Sequence, residues 1–314
     1  RSSDLLDVAD FKLINGTYGT KKGNEVLVYL SNAFRYYVKN GLLTRYEGDQ
    51  LLGLFHSKVK MDVERINRNI NKIAEEAPIP NIRIKVGIYE DVDTNLSIPI
   101  ICDRALMAEK SISKDFKTNV AFYTDELNQK QLAQRQMEND FKSAIANREF
   151  KVYYQPKYDV NTENIVGAEA LVRWQKLDGT LISPGAFIPL FESDGLVVHL
   201  DEYVFESVCQ FQKERMENKL EIVPISVNLS RASIHFSDVV ERYVDIVNQK
   251  QIPFECVPIE LTESATLYSE KILEITDQLV NAGFTLHMDD FGSGYSSLTS
   301  LNELNFSAVK LDKS

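Results

Sequence analysis

From Phe150 onward, short apolar segments recur, each followed by a helix-length amphipathic stretch: Ile165–Leu171, Ile222–Leu229, Val257–Leu261, Phe284–Met288 and Ala308–Leu311. Repeated strand and helix units predict a parallel sheet, because parallel neighbours need a crossover long enough to hold a helix. Ser183-Pro184 ahead of Gly185 to Glu192 is a helix entry, with proline at the first helical position and serine as the cap. An eight-unit barrel takes about 250 residues, more than lie between Phe150 and Ser314. The expectation is an incomplete TIM-type (β/α)8 barrel.

The front of the chain follows another pattern. An apolar segment ending in Phe11 to Ile14 is read as a strand, followed by a Gly-punctuated loop and a helix over Glu25 to Val38. Leu42 to Arg45 and Leu51 to Phe55 flank the polar turn Tyr46-Glu47-Gly48-Asp49-Gln50 and predict a β-hairpin. Ile82, Ile84, Val86 and Ile88 alternate with Arg83, Lys85, Gly87 and Tyr89, which predicts a strand with one buried face. Thr124 ahead of Asp125-Glu126 starts a connecting helix whose apolar stripe is Met137, Phe141 and Ile145. The expected fold class is α/β and α+β, divided into an α/β domain over residues 1–124, a connecting helix over 125–146 and the incomplete barrel over 147–314.

Composition narrows the function. With 46 acidic against 35 basic residues and a net charge of −11, the chain has no basic footprint for duplex DNA. Its three cysteines, Cys102, Cys209 and Cys256, form no CxxC pair, so a disulfide framework or zinc knuckle is not expected. A reducing cytoplasm fits this best. No apolar run approaches the roughly 20 residues of a membrane helix. The chain opens on Arg1, so a piece of a longer protein is expected, with any membrane link supplied by a preceding region.

The chemistry gathers where the strands end. Glu169, Asn228, Glu260, the pair Asp289-Asp290, and Lys310 followed by Asp312 close five successive strand-like segments. A lone Asp or Glu past a strand is more often a solvated loop residue or a helix cap. Five in succession point to function, because the carboxyl ends of parallel strands converge on one face. Carboxylates packed there repel one another unless divalent cations neutralise them, and hard oxygen donors favour Mg or Mn. The residues alone thus suggest a two-metal hydrolase.

These residues sit in GAEALVRW, SVNLS, IELTES, DDFGSGYSSL and KLD, after an opening YYQP at Tyr153 to Pro156. In order and spacing they resemble EAL domains. That resemblance implies a barrel that hydrolyses cyclic di-GMP to linear pGpG with two Mg or Mn ions. It places Glu169, Asn228, Glu260 and Asp289 on one metal, with Asp289 bridging to a second that Asp290 also binds. Lys310 would act with Glu169 in catalysis by positioning the attacking water, and Arg173 would contact a substrate phosphate. Gln155 and Asp312 would stand in the substrate surroundings, and Glu263 would anchor the loop Phe291-Gly292-Ser293-Gly294-Tyr295. The family further implies a homodimer through the EAL domain, and an AEGVE segment beyond the last strand of this sequence.

Residues Asp7 to Tyr123 resemble a GGDEF domain, through DVADFKLINGTYGTKKGNEVL and the turn at Glu47 to Leu51. The match departs from the family where Ala9 replaces an acidic residue and Gly23-Asn24 stands for the guanine-contacting pair. Glu47 also replaces the glycine that lets phosphates approach the backbone, and no RxxD precedes the turn, where Val38-Lys39-Asn40-Gly41 stands. The expectation is a degenerate, regulatory domain without cyclase activity. The competing expectations for the whole chain are a non-catalytic cyclic di-GMP receptor and a signalling scaffold.

Overall fold

The computed structural model describes residues 2–8, 11–37, 41–55, 62–112, 118–236, 238–263, 270–292 and 305–311. Its chain forms two compact units that divide between Ala133 and Gln134. No described helix is long and apolar enough to cross a membrane.

The first unit carries a five-stranded sheet: β1 Ser2–Val8, β2 Leu42–Arg45, β3 Leu51–Phe55, β4 Ile84–Glu90 and β5 Val120–Phe122, in the order β2-β3-β1-β4-β5. The hairpin pairs Leu42 with Leu54 and Arg45 with Leu51, and Gln50 N–H donates to the Glu47 carbonyl at 2.8 Å to close its tip. Phe11 to Ile14 is not a strand: it opens helix α1, Phe11–Tyr18. Phe11 and Ile14 share a face and pack on the core, whereas Leu13 between them is 70% exposed. That is the spacing of a helix, hidden in the sequence by a run of apolar residues too short to show its period. Gly19, at φ +82°, breaks the chain between α1 and α2 Thr20–Tyr37. The second helix therefore begins earlier than expected, and it buries Val26, Leu30 and Phe34 at four-residue spacing.

The expectation of one buried face on β4 needs correction, because Gly87, Ile88 and Tyr89 are all buried. Ile84, Val86 and Ile88 belong to one core with α2 and α3 Val63–Glu75, while Tyr89 packs with Ala105 of α4 Ile98–Lys110. Gly87 makes that second layer possible. A Cβ at this position would lie 2.1 Å from the Ala105 carbonyl oxygen and 2.3 Å from the Glu109 backbone nitrogen.

Helix α5, Asp125–Ala146, spans the division; Leu127 N–H donates to the Thr124 hydroxyl at 3.1 Å, capping its start. Phe141 joins the second unit's aromatic cluster of Phe150, Trp174, Phe187 and Phe191, each at most 3% exposed. Burying a side chain of this size contributes about 1.5–3 kcal/mol.

The second unit begins with an antiparallel hairpin rather than a parallel pair: β6 Phe150–Tyr158 and β7 Ile165–Gln175, with the short β8 Leu181–Ile182 also antiparallel to β7. Alternation of strand and helix then sets in with α6 Pro184–Asp194, α7 Val197–Glu217, β9 Ile225–Asn228, α8 Arg231–Ile234 and α9 Val239–Lys250. It continues with β10 Ile259–Thr262, α10 Glu270–Ala282, β11 Leu286–Phe291 and β12 Phe306–Leu311. Ser183 precedes α6 without a side-chain cap, so the proline alone sets that entry. The sheet runs β12-β11-β10-β9-β7-β6, parallel from β7 to β12, and among the described residues its ends do not pair.

Each strand here has two unlike faces. Ala168, Ala170, Ile225, Val227, Ile259, Leu261, Leu286 and Met288 are buried in apolar surroundings. Their alternates are Glu169, Ser226, Asn228, Glu260, His287 and Asp289. In a flat sheet, strands three positions apart lie roughly 14 Å from one another. Lys157 of β6 and Lys310 of β12, at the two ends of the strand order, both hydrogen-bond to Glu260 of β10. The sheet is therefore curled, with the polar face concave.

Asp201 of α7 fixes the turn after β9. Its carboxylate accepts from Ser230 N–H at 2.9 Å and from the Ser233 hydroxyl at 2.7 Å. Burial pushes its pKa up to about 6, against the lowering effect of these hydrogen bonds.

Two consequences are testable. Gly87→Ala should destabilise the first unit by at least about 1–3 kcal/mol, the cost of overpacking, seen as a lower thermal midpoint. For Asp201, an acid whose folded pKa lies above its unfolded value, the folded state binds more protons between the two values. Its favourable contribution is complete below about pH 4 and is lost as pH rises through about 6. Urea midpoints at about pH 5 and about pH 8 should shift in favour of Asp201→Asn at the higher pH; an unchanged difference between variant and parent would contradict this.

Candidate active site

Glu169, Glu260 and Asp289 come from β7, β10 and β11, and each offers a carboxylate oxygen within 4.8 Å of the others. Lys310 of β12 enters between them. Its Nζ donates to Glu169 Oε2 at 2.7 Å, to Asp289 Oδ2 at 2.8 Å and to Glu260 Oε2 at 2.9 Å. Asn228, at the end of β9, donates from Nδ2 to Glu169 Oε1 at 3.2 Å. Five strands thus supply one cluster, because in-register strands set these positions level: Glu260 lies opposite both Asn228 and His287.

The electrostatics are mutual. Burial alone would raise the Glu260 carboxyl, but contacts with His287, Lys157, Ser226 and Lys310 hold it well below the usual carboxylate range. Burial would lower Lys310, yet hydrogen bonds to Asp289, Glu169 and Glu260 push it well above the ordinary lysine value. Lys310 is therefore a fixed cation and hydrogen-bond donor at neutral pH, not a base. Its ammonium and that of Lys157 offset two of the three negative charges in the cluster. The remaining negative charge and the all-oxygen donor set fit a divalent cation.

Asp290 lies outside this three-carboxylate group. It is exposed and holds a left-handed backbone at φ +56°. The pairing of β11 with β12 shifts between Met288 and Phe291, so a bulge sits at the two aspartates. Bulges re-aim side chains next to sites of chemistry.

The other candidates fall around the cluster. Gln155 is exposed and lies opposite Glu169 in the hairpin register. Arg173 lines a cavity of about 600 Å³ with Asn228, Ser230, Arg231, His235 and Asp201. Glu263 is buried, and its Oε2 accepts from Gly292 N–H at 2.7 Å. Asp312 and the loop residues Ser293, Gly294 and Tyr295 lie outside the described residues, as do Ala9 and Val38 to Asn40. In the first unit Gly23 sits within α2, where a Cβ would lie 2.0 Å from the Asn15 side-chain oxygen.

Sequence reasoning missed Lys157, Ser226, His287 and Asp201. The first three share the parity of residues that it did select: Lys157 is two positions from Gln155, Ser226 two from Asn228 and His287 two from Asp289. That parity was the available signal. Asp201 carried none, because one acidic residue on an amphipathic helix looks like part of the solvated face.

Comparison with known proteins agrees with this architecture. Over 320 residues the chain is 28% identical to the bifunctional diguanylate cyclase/cyclic di-GMP phosphodiesterase MucR of Pseudomonas aeruginosa, covering 98% of this chain and 46% of that protein. A solved structure of the PaMucR phosphodiesterase in complex with c-di-GMP superposes with a TM-score of 0.54 at 32% identity, over 56% of this chain and 72% of the other. The Vibrio cholerae LapD S helix-GGDEF-EAL structure, bound to c-di-GMP, shares the fold at a TM-score of 0.59 and 19% identity, over 99% of this chain and 75% of the other. The chain spans less than half the length of the curated relatives it matches first. Residues 5–112 match the diguanylate cyclase GGDEF domain and residues 138–314 the EAL domain, so the chain belongs to the EAL family, with a GGDEF domain in tandem ahead.

Proposed function

We propose that the chain hydrolyses cyclic di-GMP to linear pGpG in a site that takes two divalent cations, Mg or Mn. The observation that carries this reading is the convergence of Glu169, Glu260 and Asp289 with Asn228 and Lys310 on the concave face of the sheet, although Glu169 lies in the middle of β7 and Glu260 near the start of β10 rather than at their carboxyl ends. Glu169, Asn228, Glu260 and Asp289 would hold one cation; Asp289 with Asp290 would hold the other. Cations there would activate a water at neutral pH and offset charge developing on the phosphate.

The chain's own groups do the rest. Arg173, on the cavity wall, offers a planar guanidinium to a phosphate oxygen pair, and Gln155 and Asp312 belong to the substrate surroundings. Lys310 keeps its proton; its three N–H donors hold Glu169, Glu260 and Asp289, and turning one of them from a cation-bound carboxylate to the attacking water would position that water. Glu263 holds Gly292 and with it the base of the loop that follows the aspartates. The front domain, with Glu47 in its turn, would regulate rather than cyclise GTP, and a cytoplasmic homodimer through the EAL domain is the proposed assembly. Its functional division follows residues 1–124, 125–146 and 147–314.

A binding-only role is the second reading. The position of Asp290 outside the carboxylate cluster favours it, since a site with one well-formed cation position would hold the dinucleotide without cutting it.

Incubation of the chain with cyclic di-GMP and Mn, followed by chromatography, should yield pGpG. Glu169→Ala should lower kcat by more than the roughly 10–100-fold typical of outer-shell partners. Dinucleotide that is bound but left intact by the parent would make the protein a receptor and reject the hydrolase. Incubation with GTP should give no cyclic product; its appearance would reject the regulatory assignment of the front domain.

A further inference from the structure

Glu260 is the only one of the three clustered carboxylates with no exposure to solvent, and its two oxygens have different partners. Oε2 faces Lys310 and the cluster. Oε1 accepts from Lys157 Nζ at 2.7 Å and lies 3.6 Å from His287 Nδ1. The lysine is itself fixed by a second bond, from Nζ to the Ser226 hydroxyl at 2.7 Å. Ser226 directs its own proton to the Ala168 carbonyl at 3.2 Å, which leaves its oxygen to accept from Lys157.

The path of the lysine is built into the sheet. Lys157 pairs with Gly167 across the hairpin, and a Cβ on Gly167 would come within 3.8 Å of the lysine Cδ and 3.2 Å of the Pro224 carbonyl oxygen. The lysine stem thus passes in ordinary van der Waals range of Gly167 as it crosses β7 toward β9 and β10. The ammonium carried from β6 holds one oxygen of the buried carboxylate while Lys310 holds the other, so the orientation of the group as well as its charge is fixed.

We propose that Lys157 is a positioning residue for the cation site: it ties down the inner oxygen of Glu260 so that the outer oxygen alone is presented to the cluster. This rests on the metal-dependent reading above. Without Lys157, a desolvated carboxylate bonded chiefly through Oε2 turns toward Lys310, and the cation loses one ligand of fixed direction. Outer-shell partners of this kind typically contribute 10–100-fold to metal affinity.

The test is Mn affinity by calorimetry in the absence of substrate, beside thermal midpoints, for the parent, Lys157→Met, Lys157→Arg and Ser226→Ala. Lys157→Met should weaken Mn binding by about 10–100-fold. Lys157→Arg should recover most of it, because a cationic donor is kept. Ser226→Ala should move affinity in the same direction by less, and it answers the question if Lys157→Met fails to fold. Equal Mn affinity in the parent and these variants, with only the thermal midpoint lowered, would make Lys157 a structural ion pair and overturn the inference alone. A parent that binds no Mn would overturn the metal-dependent reading and this inference with it.

Discussion

A carboxylate shut away from water must be met by donors, and Glu260 is met from three strands. Lys157 arrives from β6, held in place by Ser226 of β9, and His287 comes from β11 and Lys310 from β12. An isolated ionised carboxylate in such a place would carry a penalty of several kcal/mol. The sheet must therefore curl far enough to bring both ends of the strand order to one point, and curling is what sets Glu169 and Asp289 within reach of Lys310. Fold and site are one constraint in this half of the chain.

That constraint also explains the strands' patterning. Parallel strands covered by helices on both faces read as continuous apolar runs. Here the segments ISVN, IELT and LHMDD alternate, because only one face meets helices and the other lines the concave site. The alternation places every second residue among polar partners, so the residues between are free to be Ile, Val, Leu and Met. Where the site needs two consecutive acidic residues, at Asp289-Asp290, the strict alternation fails, and the bulge with its left-handed residue appears there.

Much of this was legible because polar residues within apolar strands announce themselves. Glu169, Asn228, Glu260, Asp289 and Lys310 each follow an apolar residue, so a shared polar face could be inferred without coordinates, but they do not all close their strands: Asn228 ends β9, whereas Glu169 lies in the middle of β7 and Glu260 second in β10. The antiparallel start of the sheet was not legible: the hairpin of β6 and β7 is joined by Asp159 to Asn164, which lack the two-residue glycine turn that marks tight hairpins. Lys157 was missed for a related reason. Its role depends on what lies three strands away, and a lysine on an edge strand reads as protection against aggregation. The helix at Phe11 was lost to length, since eight residues show barely two turns of the period.

The first unit obeys a different balance. Its core rests on Leu30, Ile84, Val86 and Ile88, with Gly87 admitting a second layer, and none of these residues lies at the hairpin tip. The tip is held by local bonds: Arg45 Nε donates to the Gly48 carbonyl at 2.7 Å and Tyr46 N–H to the Gln50 carbonyl at 2.9 Å. Glu47 can thus stand in the turn without disturbing the packing beneath. A unit built this way can keep its fold while its turn residues change. In the second unit no such separation exists, because the groups that would perform the chemistry are the ones that satisfy one another inside the curled sheet.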